Sequence, residues 1–154
     1  MKALRLNSVW SPREDYNLTE FEASTKKTFN SSKVWKDPKI SLQEVKKPRI
    51  ESNEVLIRVR SVGICGSDIG FATTNAGNYM NFSGYGRFES IILGHEFSGI
   101  VAEKENEVKD FDIGDYVVGE ESINCGTCIN CRKGFSSFCI KLEQIGVTID
   151  GAMA

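Results

Sequence analysis

Several features that mark large classes of protein are missing or scarce in this sequence. No run approaches the roughly 20 consecutive apolar residues that span a bilayer. After Met1-Lys2-Ala3-Leu4-Arg5-Leu6 the chain turns polar, without the apolar stretch or small-residue cleavage site of a secretory signal. A cytoplasmic protein without a membrane partner is expected. Excess charge of one sign is lacking too: 19 Lys and Arg face 21 Asp and Glu, and a formal net charge of -2 offers no broad cationic field to nucleic acid. The phosphate-cradling pattern G-x-G-x-x-G is also absent, because Gly63, Gly66 and Gly70 miss its spacing, so a Rossmann dinucleotide fold is not expected within these residues. There is a single histidine, and there are only three prolines.

What is present suits one folded domain over residues 1–154. Hydrophobic residues make up 40% and charged residues 26%, and the 14 glycines are spread along the chain instead of pooled in a linker. Val55–Val62 alternates, with Val55, Ile57 and Val59 on one face and Arg58 and Arg60 on the other, the period of a half-buried strand. Shorter strands are expected at residues 1–6, at Ile40–Val45, on both sides of Gly94-His95-Glu96 within Ile91–Ala102, and at Tyr116–Val118. Trp10–Pro38 and Asn75–Gly86 lack a period and read as loops. Ser67 or Asp68 is placed to cap a short helix running toward Phe71. Many short strands broken by glycine turns point to a mostly β fold, a closed or nearly closed barrel with short helices.

The cysteines carry the strongest local signal. Cys125, Cys128, Cys131 and Cys139 follow C-x2-C-x2-C-x7-C, four thiols in 15 residues. A two-residue gap lets the chain wrap an ion so that sulfurs reach roughly 2.3 Å from it, and Gly126 and Gly134 relieve the backbone crowding. With four protein ligands no position is left for water, so a zinc lobe over residues 122–141 would be structural. A pair of disulfides and an iron–sulfur cluster are the alternatives that this spacing leaves open.

Cys65 and His95 stand apart from the lobe. Taken alone, a histidine beside a strand is more often a hydrogen-bonded core residue than a ligand, and a lone buried cysteine usually acts as a small hydrophobe. Each nevertheless lies where the backbone needs room, Cys65 between Gly63 and Gly66 and His95 directly after Gly94.

Four segments, in this order, resemble the zinc-dependent medium-chain dehydrogenase/reductase superfamily in its alcohol, sorbitol and threonine dehydrogenase branch. They are Gly63-Ile64-Cys65-Gly66-Ser67-Asp68, Leu93-Gly94-His95-Glu96-Phe97-Ser98-Gly99, Gly114-Asp115-Tyr116-Val117, and the cysteine lobe ending at Cys139. The resemblance implies a GroES-like barrel carrying one catalytic and one structural zinc, followed by a Rossmann domain that binds NAD or NADP. On this sequence it makes Cys65 and His95 catalytic-zinc ligands and Glu96 a ligand or a close outer carboxylate. Asp68 would orient His95 through its second ring nitrogen, and Ser67 would pass the substrate's hydroxyl proton outward. The implied reaction is zinc-assisted hydride transfer from a secondary alcohol to a nicotinamide. A polyol is favoured as substrate, because the long insertion before Val55 and the Ser67-Asp68 pair look like the sorbitol, inositol-derivative and sugar dehydrogenases.

The sequence also departs from that pattern. Gly70 stands where many relatives place a relay histidine. The 30-residue step from Cys65 to His95 is long, and its loop from Gly77 to Phe88 is expected to shape substrate access. Because the chain stops at Ala154, before the expected Rossmann domain, residues 1–154 by themselves are expected to leave strand edges unpaired, to associate into a homo-oligomer, and to show no dehydrogenase turnover. The rival function is a non-catalytic, zinc-stabilised binding module. Such a module would have no reason to bring Cys65, His95 and Glu96 together at an open position.

Overall fold

Alternation makes β3 span Val55–Val62, the whole of the expected run, with Arg58 and Arg60 exposed. The computed structural model describes residues 1–154, and its β3 pairs antiparallel with β5 (Phe97–Lys104), Ile57 opposite Val101 and Val62 opposite Phe97. The other edge of β5 takes β6 (Tyr116–Val118), giving a three-stranded sheet of order β3-β5-β6. A second antiparallel sheet has β1 (Lys2–Trp10) between β2 (Trp35–Glu44) and β4 (Ser90–Ile92). A short ladder pairs β7 (Ser122–Ile123) with β8 (Glu143–Gln144). The fold is therefore mostly β, as expected. No helix is long and apolar enough to cross a membrane. β6 ends its sheet, and there Tyr116 is 85% and Val118 81% exposed.

The amino-terminal third is more ordered than its lack of period suggests. β1 continues to Trp10, and β2 starts at Trp35, five residues before the expected Ile40. The Asp37-Pro38 pair does not end the strand, because the β1–β2 register slips between Asn7 and Val9 and Asp37 sits at φ +52° opposite that slip. Pro38, lacking an N–H, is accommodated on this outer strand at its irregular point. Between the two strands lie α1 (Glu20–Thr25) and α2 (Ser31–Val34), in a stretch read from the sequence as loop. Thr19 and Glu22 form a reciprocal capping box that starts α1.

Glu22 also ties this insertion together. Its buried carboxylate accepts hydrogen bonds from Tyr16 Oη (2.6 Å), Thr28 Oγ1 (2.5 Å) and the Thr19 N–H and hydroxyl (both 2.9 Å). Burial by itself would raise its pKa, but the hydroxyls of Thr28 and Tyr16 and the Thr19 donors outweigh it and hold the group at about 2. The insertion is then fastened to the 75–88 loop. Thr28 bridges Gly86, and the Ser31 hydroxyl donates to the Gly84 carbonyl at 2.8 Å.

The main core lies beneath these two excursions. Leu6, Val34, Trp35, Phe71, Met80, Phe88, Ile91, Leu93 and Val147 form one buried cluster. Phe88 stands at its centre, with ring centroids 4.7 Å from Phe71 and 6.3 Å from Trp35. Each such side chain contributes about 2 to 3 kcal/mol relative to exposure. Both loops therefore have deep anchors, and the surfaces they present to the site are held in place.

Candidate metal centre and cavity

Cys65 caps α3 (Gly66–Ala72) at the turn that follows β3. The cap is Cys65 and not, as expected, Ser67 or Asp68: Asp68 lies in the first turn and reaches back, its Oδ2 accepting the Cys65 N–H at 2.9 Å. That bond fixes Cys65 and buries Asp68.

His95 lies in the turn between β4 and β5. Gly94 takes φ +95°, and a Cβ there would come within 2.7 Å of Met153 Cγ and 2.9 Å of Val62 Cγ1. The segment 151–153 runs alongside 92–94 through hydrogen bonds from Gly151 to Ile92, Met153 to Leu93 and Ala152 to Gly94 (2.8, 2.8 and 2.9 Å). The turn is held from both sides, and His95 is 5% exposed. Glu96 binds back to the β3 end, its carbonyl accepting the Gly63 N–H at 2.7 Å. A Cβ on Gly63 would stand 2.7 Å from the Glu96 carboxylate, so the missing side chain makes its room.

These turns bring Cys65, His95 and Glu96 together, one ligand atom from each lying within 4.8 Å of the others. Thiol, imidazole and carboxylate form a donor set suited to zinc. The Ser67 hydroxyl is 3.3 Å from His95 Nε2. Asp68 faces the other ring nitrogen but at 3.9 Å, too far for the expected hydrogen bond, and both His95 Nδ1 and Asp68 Oδ1 are buried without a partner. Gly70 has a local reason in this fold. The 75–88 loop lays Phe82 over it, and a Cβ at position 70 would meet Phe82 Cβ at 3.4 Å.

The second cluster is the lobe. The sulfurs of Cys125, Cys128, Cys131 and Cys139 all lie within 4.8 Å of one another, with Cys128–Cys131 at 3.4 Å and Cys125–Cys139 at 3.5 Å. Gly126 and Gly134 turn the chain through left-handed conformations. The Thr127 hydroxyl and backbone N–H groups hold Cys125 down to about 6, while burial and the neighbouring thiols push Cys131 up to about 12. Four sulfurs this close cannot all ionise without a cation between them, and the cluster is a group that could hold zinc.

Cys65, Ser67 and His95 open onto a cavity of about 770 Å³. The amino-terminal insertion contributes Phe21 and Phe29 to its wall, the 75–88 loop Phe82 and Tyr85, and the lobe Phe138 and Ile140. The loop thus forms part of the cavity wall, and so does the insertion, whose part no sequence pattern shows. Glu121 was missed as well: it lines the cavity with its Oε2 at 4.0 Å from His95 Nε2. No periodicity or ligand spacing marks it, and only its place in an acidic pair just before the lobe sets it apart.

Residues 51–154 match the family described as alcohol dehydrogenase GroES-like domain. Over its whole length the chain is 40% identical to scyllo-inosose 3-dehydrogenase of Thermotoga maritima, of which it covers 40%. A solved structure from Thermotoga maritima superposes with a TM-score of 0.91 at 39% identity, covering 98% of this chain and 40% of that one. Galactitol-1-phosphate dehydrogenase from Escherichia coli gives a TM-score of 0.68 at 28% identity, with all of this chain and 34% of that one covered. The chain spans two-fifths or less of the length of each of these proteins.

Proposed function

The chain belongs to the alcohol dehydrogenase GroES-like family, among the zinc-dependent medium-chain dehydrogenases, and on that footing we propose that it is the catalytic part of an NAD(P)-dependent dehydrogenase that oxidises a secondary alcohol of the polyol type. The observation that carries this reading is the convergence of Cys65, His95 and Glu96, with Cys65 and His95 opening onto the cavity. In it these three hold a catalytic zinc, and the four lobe cysteines, within residues 122–141, hold a structural one. Zinc bound at Cys65, His95 and Glu96 supplies Lewis acidity toward a substrate oxygen, which favours loss of the hydroxyl proton near neutral pH.

The chain's own residues do the rest of the work at this site. Ser67, beside His95 on the cavity wall, takes the substrate's hydroxyl proton and passes it outward. Asp68 fixes Cys65 through its backbone N–H and turns its second oxygen toward His95. Phe29, Phe82 and Phe138 give the cavity an apolar wall for the substrate's carbon skeleton. The hydride acceptor is a nicotinamide, NAD or NADP. The polyol preference is supported by the likeness to scyllo-inosose 3-dehydrogenase and to galactitol-1-phosphate dehydrogenase. A purely structural zinc module has no use for the second cluster. The test is reduction of NAD or NADP by the whole protein with a panel of secondary alcohols and polyols. Turnover that His95→Ala abolishes is expected. Turnover that survives this change, or none with any alcohol, would overturn the reading.

A further inference from the structure

Glu121 is the only carboxylate on a cavity wall whose 17 lining residues include 11 hydrophobic ones, which makes it the strongest hydrogen-bond acceptor that a ligand would meet there. Its side chain is 45% exposed, and its Oε2 lies 4.0 Å from His95 Nε2. It is not one of the three groups gathered within 4.8 Å around Cys65, so it flanks that cluster instead of completing it. Its backbone is fixed where β7 begins, the Glu121 carbonyl accepting the Ile145 N–H at 2.9 Å. Gln144, on the partner strand opposite Ser122, lines the same cavity and adds an amide to its wall.

A substrate whose carbinol oxygen reaches the Cys65–His95 end can place its next carbon toward Glu121, whose Oε2 lies 4.0 Å from His95 Nε2. A hydroxyl on that carbon lies within one hydrogen bond's length of the first oxygen, which suits the short gap between His95 and Glu121. We propose that Glu121, with Gln144 on the same wall, is a specificity residue that accepts a hydrogen bond from this second hydroxyl and so selects vicinal diols and polyols over mono-alcohols. The inference rests on the dehydrogenase reading. A site that binds a substrate hydroxyl with a buried or half-buried polar group discriminates against the analogue lacking it, because that group is then left unpaired.

The test compares cyclohexane-1,2-diol with cyclohexanol, two alcohols that differ by the one hydroxyl. In the whole protein, kcat/KM is measured for both with NAD and with NADP, in the unaltered protein and in Glu121→Gln, Glu121→Ala and Gln144→Ala. The unaltered protein should prefer the diol, and both Glu121 variants should lower the diol-to-mono-alcohol ratio by about tenfold to a hundredfold, the span of one charge-assisted hydrogen bond. Gln144→Ala should lower it less. Retained zinc in the cysteine lobe shows that the variants are folded, and Glu121→Gln keeps the side chain's size if Glu121→Ala does not fold. A ratio unchanged in the Glu121 variants, including an equal fall for both alcohols, overturns the inference while the dehydrogenase reading stands. Failure of the unaltered protein to oxidise any alcohol with either cofactor overturns that reading and this inference with it.

Discussion

The Nδ1 of His95 and the Oδ1 of Asp68 face each other at 3.9 Å, both buried and neither bonded to anything else. A metal held by His95 would make the ring's remaining N–H a stronger donor, and closing this gap would then fix the ring's tautomer and direction. Asp68→Asn keeps an oxygen for the Cys65 N–H but removes the charge facing the ring. Affinity for a metal at Cys65, His95 and Glu96 should fall by about tenfold to a hundredfold, measured by titration with cobalt(II) and its thiolate absorption, while the lobe's metal is unaffected.

Gly94 is where backbone conformation and close packing coincide. Gly94→Ala would place a side chain at φ +95° and within 2.7 Å of Met153 Cγ. Strain and overpacking together should cost about 2 to 4 kcal/mol. Because the turn carries His95, the loss should appear both as a lower thermal midpoint and as weaker binding of the second metal.

Glu22 links pH to the cavity wall. Its folded pKa of about 2 lies below the unfolded 4.5, so its contribution is complete above pH 4.5 and is lost as pH falls toward 2. The difference corresponds to about 3 kcal/mol. Glu22→Gln should therefore be less stable than the unaltered chain at neutral pH, and the two should converge in acid unfolding between those two values. The loss should also loosen Phe21 and Phe29, seen as faster amide exchange in residues 16–30.

In the lobe, Cys128→Ser removes one of four sulfurs that lie within 4.8 Å of one another. The tightly held zinc should be lost from the purified chain, by about one equivalent, with looser structure from Cys125 to Cys139. An unchanged metal content would remove the structural role of the lobe.

What could be read in advance was local chemistry. The β3 alternation and the C-x2-C-x2-C-x7-C spacing each act over a few residues, and both the strand and the sulfur cluster stand where they were expected. Thr19 and Glu22 carry a capping-box signal too, but six residues of α1 are too few to show a helical period. The start of β2 is hidden in the sequence because Asp37-Pro38 looks like a break, and only the slipped pairing with β1 shows how a strand absorbs it. Gly70 reads in the sequence as a lost histidine. In the fold it is the floor beneath Phe82, a contact across 12 positions that no short pattern contains. Glu121 meets His95 only through tertiary folding, 26 positions apart, and the Asp68–His95 gap likewise needed coordinates.

Metal stoichiometry in the chain and its single variants bears most directly on the two proposed metal centres. The unaltered chain, loaded with zinc and dialysed, should hold one tight equivalent in the lobe and bind a second more weakly. Cys65→Ser and His95→Ala should each abolish the second equivalent and leave the first intact, since the two clusters share no residue. A second metal that binds equally well without Cys65 and His95, or no second metal at any zinc concentration, would contradict the catalytic centre proposed here.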